Sequence, residues 1–289
     1  MASSEKVKID LRSVNETLLL PLWGRAEEAG MKDPVLRDRT SADLISRIDY
    51  DFTRFRSRIR RFQILTLAIR AREFDSMIRD FIQRHPCAVI VNIGAGLDTT
   101  FSRVNNGKIK WYDLDVPQVI RLRGELIPES RETNRIPKSM FDKSFFDDIE
   151  APQDGILFLV GGVLMYFDEE RVRGFFAMVA RRFPGAEIVF DTIAPSGIWF
   201  ASRMVRKCGI QKAEMEWGIR NTGDLERWGL HLKSLECYPI FYKTRVFPSW
   251  GPTIGIVMRI SDLFRIINVN RVAVVSEEHR SKNSLIRNR

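Results

Sequence analysis

Apolar and polar positions along this chain follow two different periods. Phe55, Ile59, Phe62, Ile69, Phe74, Ile78 and Phe81 recur at helical spacings, forming one stripe that Pro86 closes, so the pattern predicts a single long helix from Arg54 to His85. A short apolar run follows, Ala88 to Asn92, and after it come a glycine turn (Gly94-Ala95-Gly96), a short helix and a second run from Ile109 to Tyr112 that ends in acids. The segment IPKSMFD (136–142) predicts a short strand and turn. Gly155 to Val160 (GILFLV) is the most apolar strand and is expected at the centre of a sheet, buried on both faces. A helix begins at Asp168-Glu169-Glu170, whose acids suit its N-terminal dipole, and stops at Phe183-Pro184-Gly185. Strands are expected at Glu187 to Asp191, Leu232 to Cys237 and Asn270 to Val275, with a helix over Thr253 to Ile266. Strands and helices in this alternation predict an α/β fold with a doubly wound, mostly parallel sheet.

Three segments lie outside that alternation. Residues 1–53 form an N-terminal helical extension with an apolar patch, Leu18 to Trp23, and a break near Asp33-Pro34; its length implies packing on the domain, over the pocket. Residues 194–230 contain no clean strand but carry Trp199, Phe200, Met204, Met215 and Trp217, which fits either a helical lid that meets a substrate or additional core. The polar tail, 277–289, is expected to be disordered. No repeat or second domain interrupts the pattern, so a single domain spans 1–289.

Composition narrows the class. With 289 residues and 44% apolar content the chain can bury a sizeable core. Its net charge of +9 and pI near 9.7 raise nucleic-acid binding. The basic residues, however, gather at Arg54, Arg56, Arg58, Arg60 and Arg61 and in the tail, without the interleaved aromatics of a single-strand surface, so a solvated face is expected and no nucleic-acid partner. Three widely spaced cysteines fit neither a disulfide framework nor a zinc site, and no metal is expected. The N-terminus lacks the apolar core of a signal peptide and no apolar run approaches a bilayer's thickness, so a cytoplasmic protein without a membrane span is expected.

The candidate chemistry sits at residues 88–115. Glycines at alternate positions, Gly94 and Gly96, let the backbone approach a ligand closely, and an acid at the tip of the next strand, Asp113 or Asp115, can accept both hydroxyls of a ribose. A dinucleotide would want a third glycine where this chain has Thr99; S-adenosylmethionine has no phosphate and needs only the first glycines and the acid, which favours it over NAD. Asp115 also reads as the N-cap of a helix opened by Pro117. Ligands in open α/β sheets bind beyond the carboxyl ends of central strands, which brings Gly161, Gly162 and Tyr166 opposite the glycine turn. Ser139 and Met140 would face an adenine in a doubly wound fold. Arg70 and Arg72, in the second half of the long helix, reach either the mouth of the turn or solvent, and Arg25 is either a ligand contact or a surface charge.

The succession IVNIGAGLDTTFSRV, WYDLDVPQVIRLR, FLVGGVLMYFDEERV and FPGAEIVFD, with TLLLPLWGRA and DPVLRD upstream, resembles the leucine carboxyl methyltransferase family over roughly residues 15–275, and most nearly its bacterial polyketide-type (tetracenomycin-type) O-methyltransferases. The resemblance implies a class I S-adenosylmethionine-dependent methyltransferase fold, Rossmann-like, whose members methylate a carboxylate or other oxygen. It further implies that Gly94 and its neighbours Ala95, Gly96 and Asp98 hold the methionine part of the cofactor. Asp115 would take the ribose, Ser139 and Met140 flank the adenine, and Arg70 bind a carboxylate of cofactor or acceptor. Arg25 lies near the family's N-terminal basic residue. Gly161 stands where the family usually carries a glutamate of the cofactor site, and Ser139 where many members carry an acid.

A carboxylate acceptor has a pKa of about 4 and needs no general base, so an arginine to hold it suffices; the three histidines offer little to a phenol or alcohol. The expected reaction is methylation of a small carboxylic acid of polyketide or aromatic type, with Arg70 and Tyr166 at the transfer centre. Two alternatives stand beside it: methylation of a protein C-terminal carboxylate, and cofactor binding without catalysis, which Gly161 suggests. The residues carry no reading of oligomeric state.

Overall fold

The computed structural model describes residues 6–9, 16–207 and 214–275. The expected disordered tail lies outside the described residues, as do the side chains of Phe200 and Met204. Seven strands form one sheet: β1 (Val89–Ile93), β2 (Lys110–Asp115), β3 (Thr133–Pro137), β4 (Ile156–Val160), β5 (Glu187–Ile193), β6 (Leu232–Pro239) and β7 (Ile267–Val274), in the order β3-β2-β1-β4-β5-β7-β6. Pairing is parallel from β3 through β5, and β7 runs antiparallel to both of its neighbours. The strand order reverses between β1 and β4, which opens a crevice at their carboxyl ends. All five residues of β4 are buried, as its unbroken apolar sequence requires of a strand covered on both faces.

Alternate residues of the strands feed two cores. Ile90, Trp111, Leu157, Leu159 and Val189 pack under Leu65, Ile69, Ile78 and Phe81 of the long helix. Val91, Leu114, Phe158 and Phe190 pack against Val172, Phe175 and Phe176 on the other face. A third core joins Leu19, Leu22 and Trp23 to Leu97 and to Val119, Leu122 and Leu126, so the N-terminal layer lies on the glycine turn and on the helix that follows β2. That layer consists of α1 (Leu19–Ala29) and α2 (Arg39–Arg47), and a two-residue parallel bridge pairs Val7–Lys8 with Ile48–Asp49.

Several boundaries differ from the sequence pattern. The helix expected from Arg54 to His85 is two pieces, a turn at Thr53–Arg56 and α3 (Arg61–Arg84), because Arg60 is extended and its N–H is taken by the Gln63 side chain at 2.7 Å, which restarts the helix. Strand β2 runs on through both acids instead of ending at Tyr112. The remaining helices are α4 (Thr100–Val104), α5 (Pro117–Leu126), α6 (Glu169–Arg182, capped by Asp168), α7 (Pro195–Lys207) and α8 (Ile254–Leu263).

Among the described residues, the 194–230 insertion is helical at α7 and at a turn over Gly223–Glu226. Between them Glu216 and Trp217 donate their N–H groups to the Met165 carbonyl, and Gly218 abuts the Ile193 carbonyl with no room for a side chain. Trp217 is core, packed with Trp228, whereas Trp199 is 66% exposed with Arg203 over its ring. Among the described residues no helix is long and apolar enough to cross a membrane.

Candidate active site

At the carboxyl end of β1 the chain turns through Gly94 (φ +64°) and Gly96 (φ +47°), both in the left-handed region that favours glycine. A side chain on Gly94 would meet Val163 at 2.5 Å, so the turn is pressed against the loop leaving β4. Ala95 N–H bonds the Leu114 carbonyl at 3.1 Å, which ties the turn to β2.

The two acids of β2 have separate work. Asp115, at the strand tip, accepts the Gly96 N–H at 2.9 Å on one oxygen and the Val116 N–H at 2.7 Å on the other. Burial raises its pKa above the ordinary carboxylate value, only partly opposed by those two N–H groups and Arg123. It is a strand residue and not the cap of α5, a place held by Val116 ahead of Pro117. Asp113, a pleat earlier and 3% exposed, is fully engaged: Arg123 reaches it through Nε (2.9 Å) and Nη2 (2.8 Å), with Trp111 Nε1 at 2.8 Å and Asn92 Nδ2 at 3.0 Å. Arg123 in turn donates to the carbonyls of Gly96 (3.2 Å) and Asp98 (2.8 Å), so Asp113 holds the turn through an arginine instead of facing the crevice.

The N-terminal layer grips the same loop. Arg25 is 5% exposed, and its guanidinium bonds Asp38 (3.1 Å), Ser41 (3.3 Å) and the Leu97 carbonyl (3.2 Å), with the Asp98 carboxylate 4.0 Å away. Asp38 also accepts from Thr99 (2.5 Å) and Arg103 (2.9 Å), and Arg103 forks onto Asp75 of α3 at 2.7 and 3.0 Å. Burial alone would raise the Asp38 pKa, but Arg25, Arg103 and the hydroxyls of Ser41 and Thr99 outweigh it and leave the acid below its ordinary value. The same two arginines outweigh burial at Asp98.

Across the crevice β4 opens into Gly161 and Gly162 (φ +72°). A side chain at Gly161 would lie 2.8 Å from the Phe74 ring, which fills that space. At Gly162 it would lie 2.8 Å from Arg70 Nη1 and 3.1 Å from Nη2, so the guanidinium rests directly on the glycine. Arg70 Nη1 donates to Asp191 of β5 at 3.1 Å, and the other Asp191 oxygen accepts the Gly162 N–H at 2.6 Å. Tyr166 is close enough to feel both: burial pushes its phenol up, with the Asp191 charge adding and Arg70 opposing. Arg72 points elsewhere, to Glu73 and Thr244. After β3, Met140 is 6% exposed and packed with Ile136 and Phe145, while Ser139 is exposed and accepts the Phe141 N–H at 3.2 Å.

The structure therefore brings Gly94, Ala95, Gly96, Asp98, Asp115, Arg25, Arg70, Gly161 and Tyr166 to one end of the sheet and commits Asp113 to Arg123. Sequence reasoning missed Asp38, Arg103, Arg123 and Asp191. Only Asp191 carried a usable signal, since EIVFD ends a strand in an acid just as WYDLD does.

The family model for leucine carboxyl methyltransferases matches residues 19–180. The tetracenomycin polyketide synthesis O-methyltransferase TcmP of Streptomyces glaucescens is 34% identical over 221 residues, covering 75% of this chain and 80% of that protein. The S-adenosyl-L-methionine-dependent methyltransferase dpfgK of Gibberella zeae is 29% identical over 287 residues, covering 91% and 94%. Among solved structures, a protein of Thermobifida fusca assigned as a methyltransferase superposes with a TM-score of 0.55 at 14% identity over 88% of this chain and 94% of that one, a likeness of fold.

Proposed function

The chain belongs to the leucine carboxyl methyltransferase family, and from that footing we propose that it methylates a carboxylate oxygen of a small polyketide-type or aromatic acid. It is an S-adenosylmethionine-dependent O-methyltransferase with the class I, Rossmann-like fold. When bound, the cofactor supplies a sulfonium-activated methyl that the acceptor oxygen takes in line, the electron pair of the broken carbon–sulfur bond staying on sulfur.

The observation that carries the reading is the contact of two glycine loops, Gly94 against Val163, with Asp115 on one flank and Arg70 on the other. On the first flank Asp115 has lone pairs left beyond its two backbone bonds and accepts the ribose hydroxyls, while Gly94, Ala95 and Gly96 admit the cofactor to the backbone. Asp98 borders the same loop, and Arg25 acts through the Leu97 carbonyl and Asp98. Ser139 and Met140 border the adenine. On the second flank Arg70 pairs with the carboxylate of the cofactor's amino-acid end, beside Gly161, and Tyr166 aligns the acceptor.

The surroundings of Tyr166 support a carboxylate acceptor. Asp191 is committed to Gly162 and Arg70, and burial holds the Tyr166 phenol protonated, so the described residues of this flank supply no free base. An acceptor that arrives ionised needs none. The test uses cofactor carrying a labelled methyl group and a panel of aromatic and polyketide acids matched with their carboxamides. Label entering only the acids, and released as methanol by mild alkali, is the expected outcome; alkali-stable label would mean an ether and overturn the carboxylate assignment.

A further inference from the structure

Asp191 belongs to none of the loops that face each other across the crevice, yet it is the group that joins them to the long helix. It sits on β5, its side chain is 2% exposed, and its two oxygens serve two different elements. One takes the Gly162 N–H at 2.6 Å, fixing the left-handed turn that ends β4; the other takes Arg70 Nη1 at 3.1 Å, and the guanidinium lies on the face of the same glycine. A closed figure results in which glycine, acid and arginine each restrain the other two. No other protein acceptor holds the Arg70 guanidinium among the described residues. An arginine reaching from the middle of a helix has many rotamers to lose, and a single fixed acid removes most of them before a ligand arrives.

We propose that Asp191 is the positioning residue that aims Arg70 at the amino-acid end of S-adenosylmethionine. The inference rests on the reading above, in which Arg70 pairs with the cofactor's carboxylate. It also assigns a charge role. An unpaired Arg70 would attract the carboxylate of an amino acid and repel its ammonium equally; with Asp191 behind it, the flank offers balanced charge and suits a zwitterion. Two acceptor atoms on one planar group are required, which an aspartate has and no neutral side chain matches with charge.

The test is calorimetric titration with two ligands, S-adenosylhomocysteine and 5′-methylthioadenosine, which keeps the adenine and ribose but lacks the amino-acid end. Asp191→Asn retains an oxygen for the Gly162 N–H and removes the charge facing Arg70. It should weaken S-adenosylhomocysteine about tenfold or more while methylthioadenosine changes by less than about twofold, and Arg70→Ala should do the same. The double variant should be no weaker than Arg70→Ala, because the acid acts through the arginine.

Equal losses for both ligands in Asp191→Asn would show a purely structural role. Unchanged binding in Asp191→Asn beside weakened binding in Arg70→Ala would also overturn the proposal. Should Asp191→Asn not fold, Asp191→Glu serves in its place: the longer acid displaces the guanidinium, the same selective loss is expected, and unaltered selectivity would contradict the inference. Full affinity in Arg70→Ala is a different failure, one that removes the cofactor role of Arg70 itself.

Discussion

On the cofactor flank, loop 94–104 is held from three sides. Arg123 binds its carbonyls from α5, Arg25 and Asp38 bind it from the N-terminal layer, and Arg103 locks it to Asp75 on α3. On the proposed transfer flank, one acid bonds Arg70 and Gly162, Tyr166 packs against the N-terminal core, and α7 presents Trp199 to solvent. On the proposed assignment the first flank holds one invariant ligand, which a network of paired arginines and acids around the loop serves. On the same proposal the second admits an acceptor and releases a product, and its few fixed groups set orientation.

The comparison breaks most readily at Asp38. Asp38→Ala leaves Arg25 and Arg103 facing each other without their shared acid, and a loss of about 3–5 kcal/mol of stability is expected by denaturant titration, with cofactor affinity falling in parallel. Near-normal stability would mean that the N-terminal layer does not support the loop. Next in size is Gly94→Ala, which combines the left-handed backbone with the Val163 contact; cofactor affinity should drop about tenfold with a stability cost of about 1–3 kcal/mol. Adding Val163→Ala should recover part of the loss, and no recovery would place the whole cost in the backbone.

Acidification should separate two functions of the cofactor flank. Asp115 has a raised pKa, so its carboxylate, and with it the ribose bonds proposed for it, is lost as pH falls through a value above the ordinary 3.8. Asp38 has a lowered pKa, so its contribution to folding is present above the ordinary value and is lost only as pH falls below it. Cofactor affinity should therefore fade while the fold persists, as titrations and circular dichroism at matched pH would register; simultaneous loss would contradict the assignment. The smallest effect is expected at Trp199. Trp199→Ala should change stability by less than about 0.5 kcal/mol and leave cofactor affinity intact, altering at most the KM of the acceptor.

The sheet was largely legible because buried parallel strands are written as local apolar runs, and GILFLV could hardly be anything else. Asp168 and Pro117 likewise announced their helices through local capping chemistry. The break at 57–60 was hidden because Phe55 and Ile59 keep the apolar stripe in phase across it, and both are buried as a continuous helix would bury them. The 194–230 insertion was legible only in composition: Trp217 and Trp199 look alike in sequence and differ entirely in burial. At the site, the two glycine loops were readable since close approach demands glycine. The partners of the arginines were not, because Arg25 with Asp38 and the Leu97 carbonyl, or Arg70 with Asp191, join residues 13 to 121 positions apart and leave no periodic trace.

The account stands most directly on Asp115, and one measurement addresses it: calorimetric titration of the intact protein and of Asp115→Ala with S-adenosylmethionine. Loss of the ribose bonds to a carboxylate predicts binding about 100-fold weaker in the variant, with the wild-type stoichiometry at one site. Equal affinity in the two proteins would contradict the placement of the cofactor at the glycine turn.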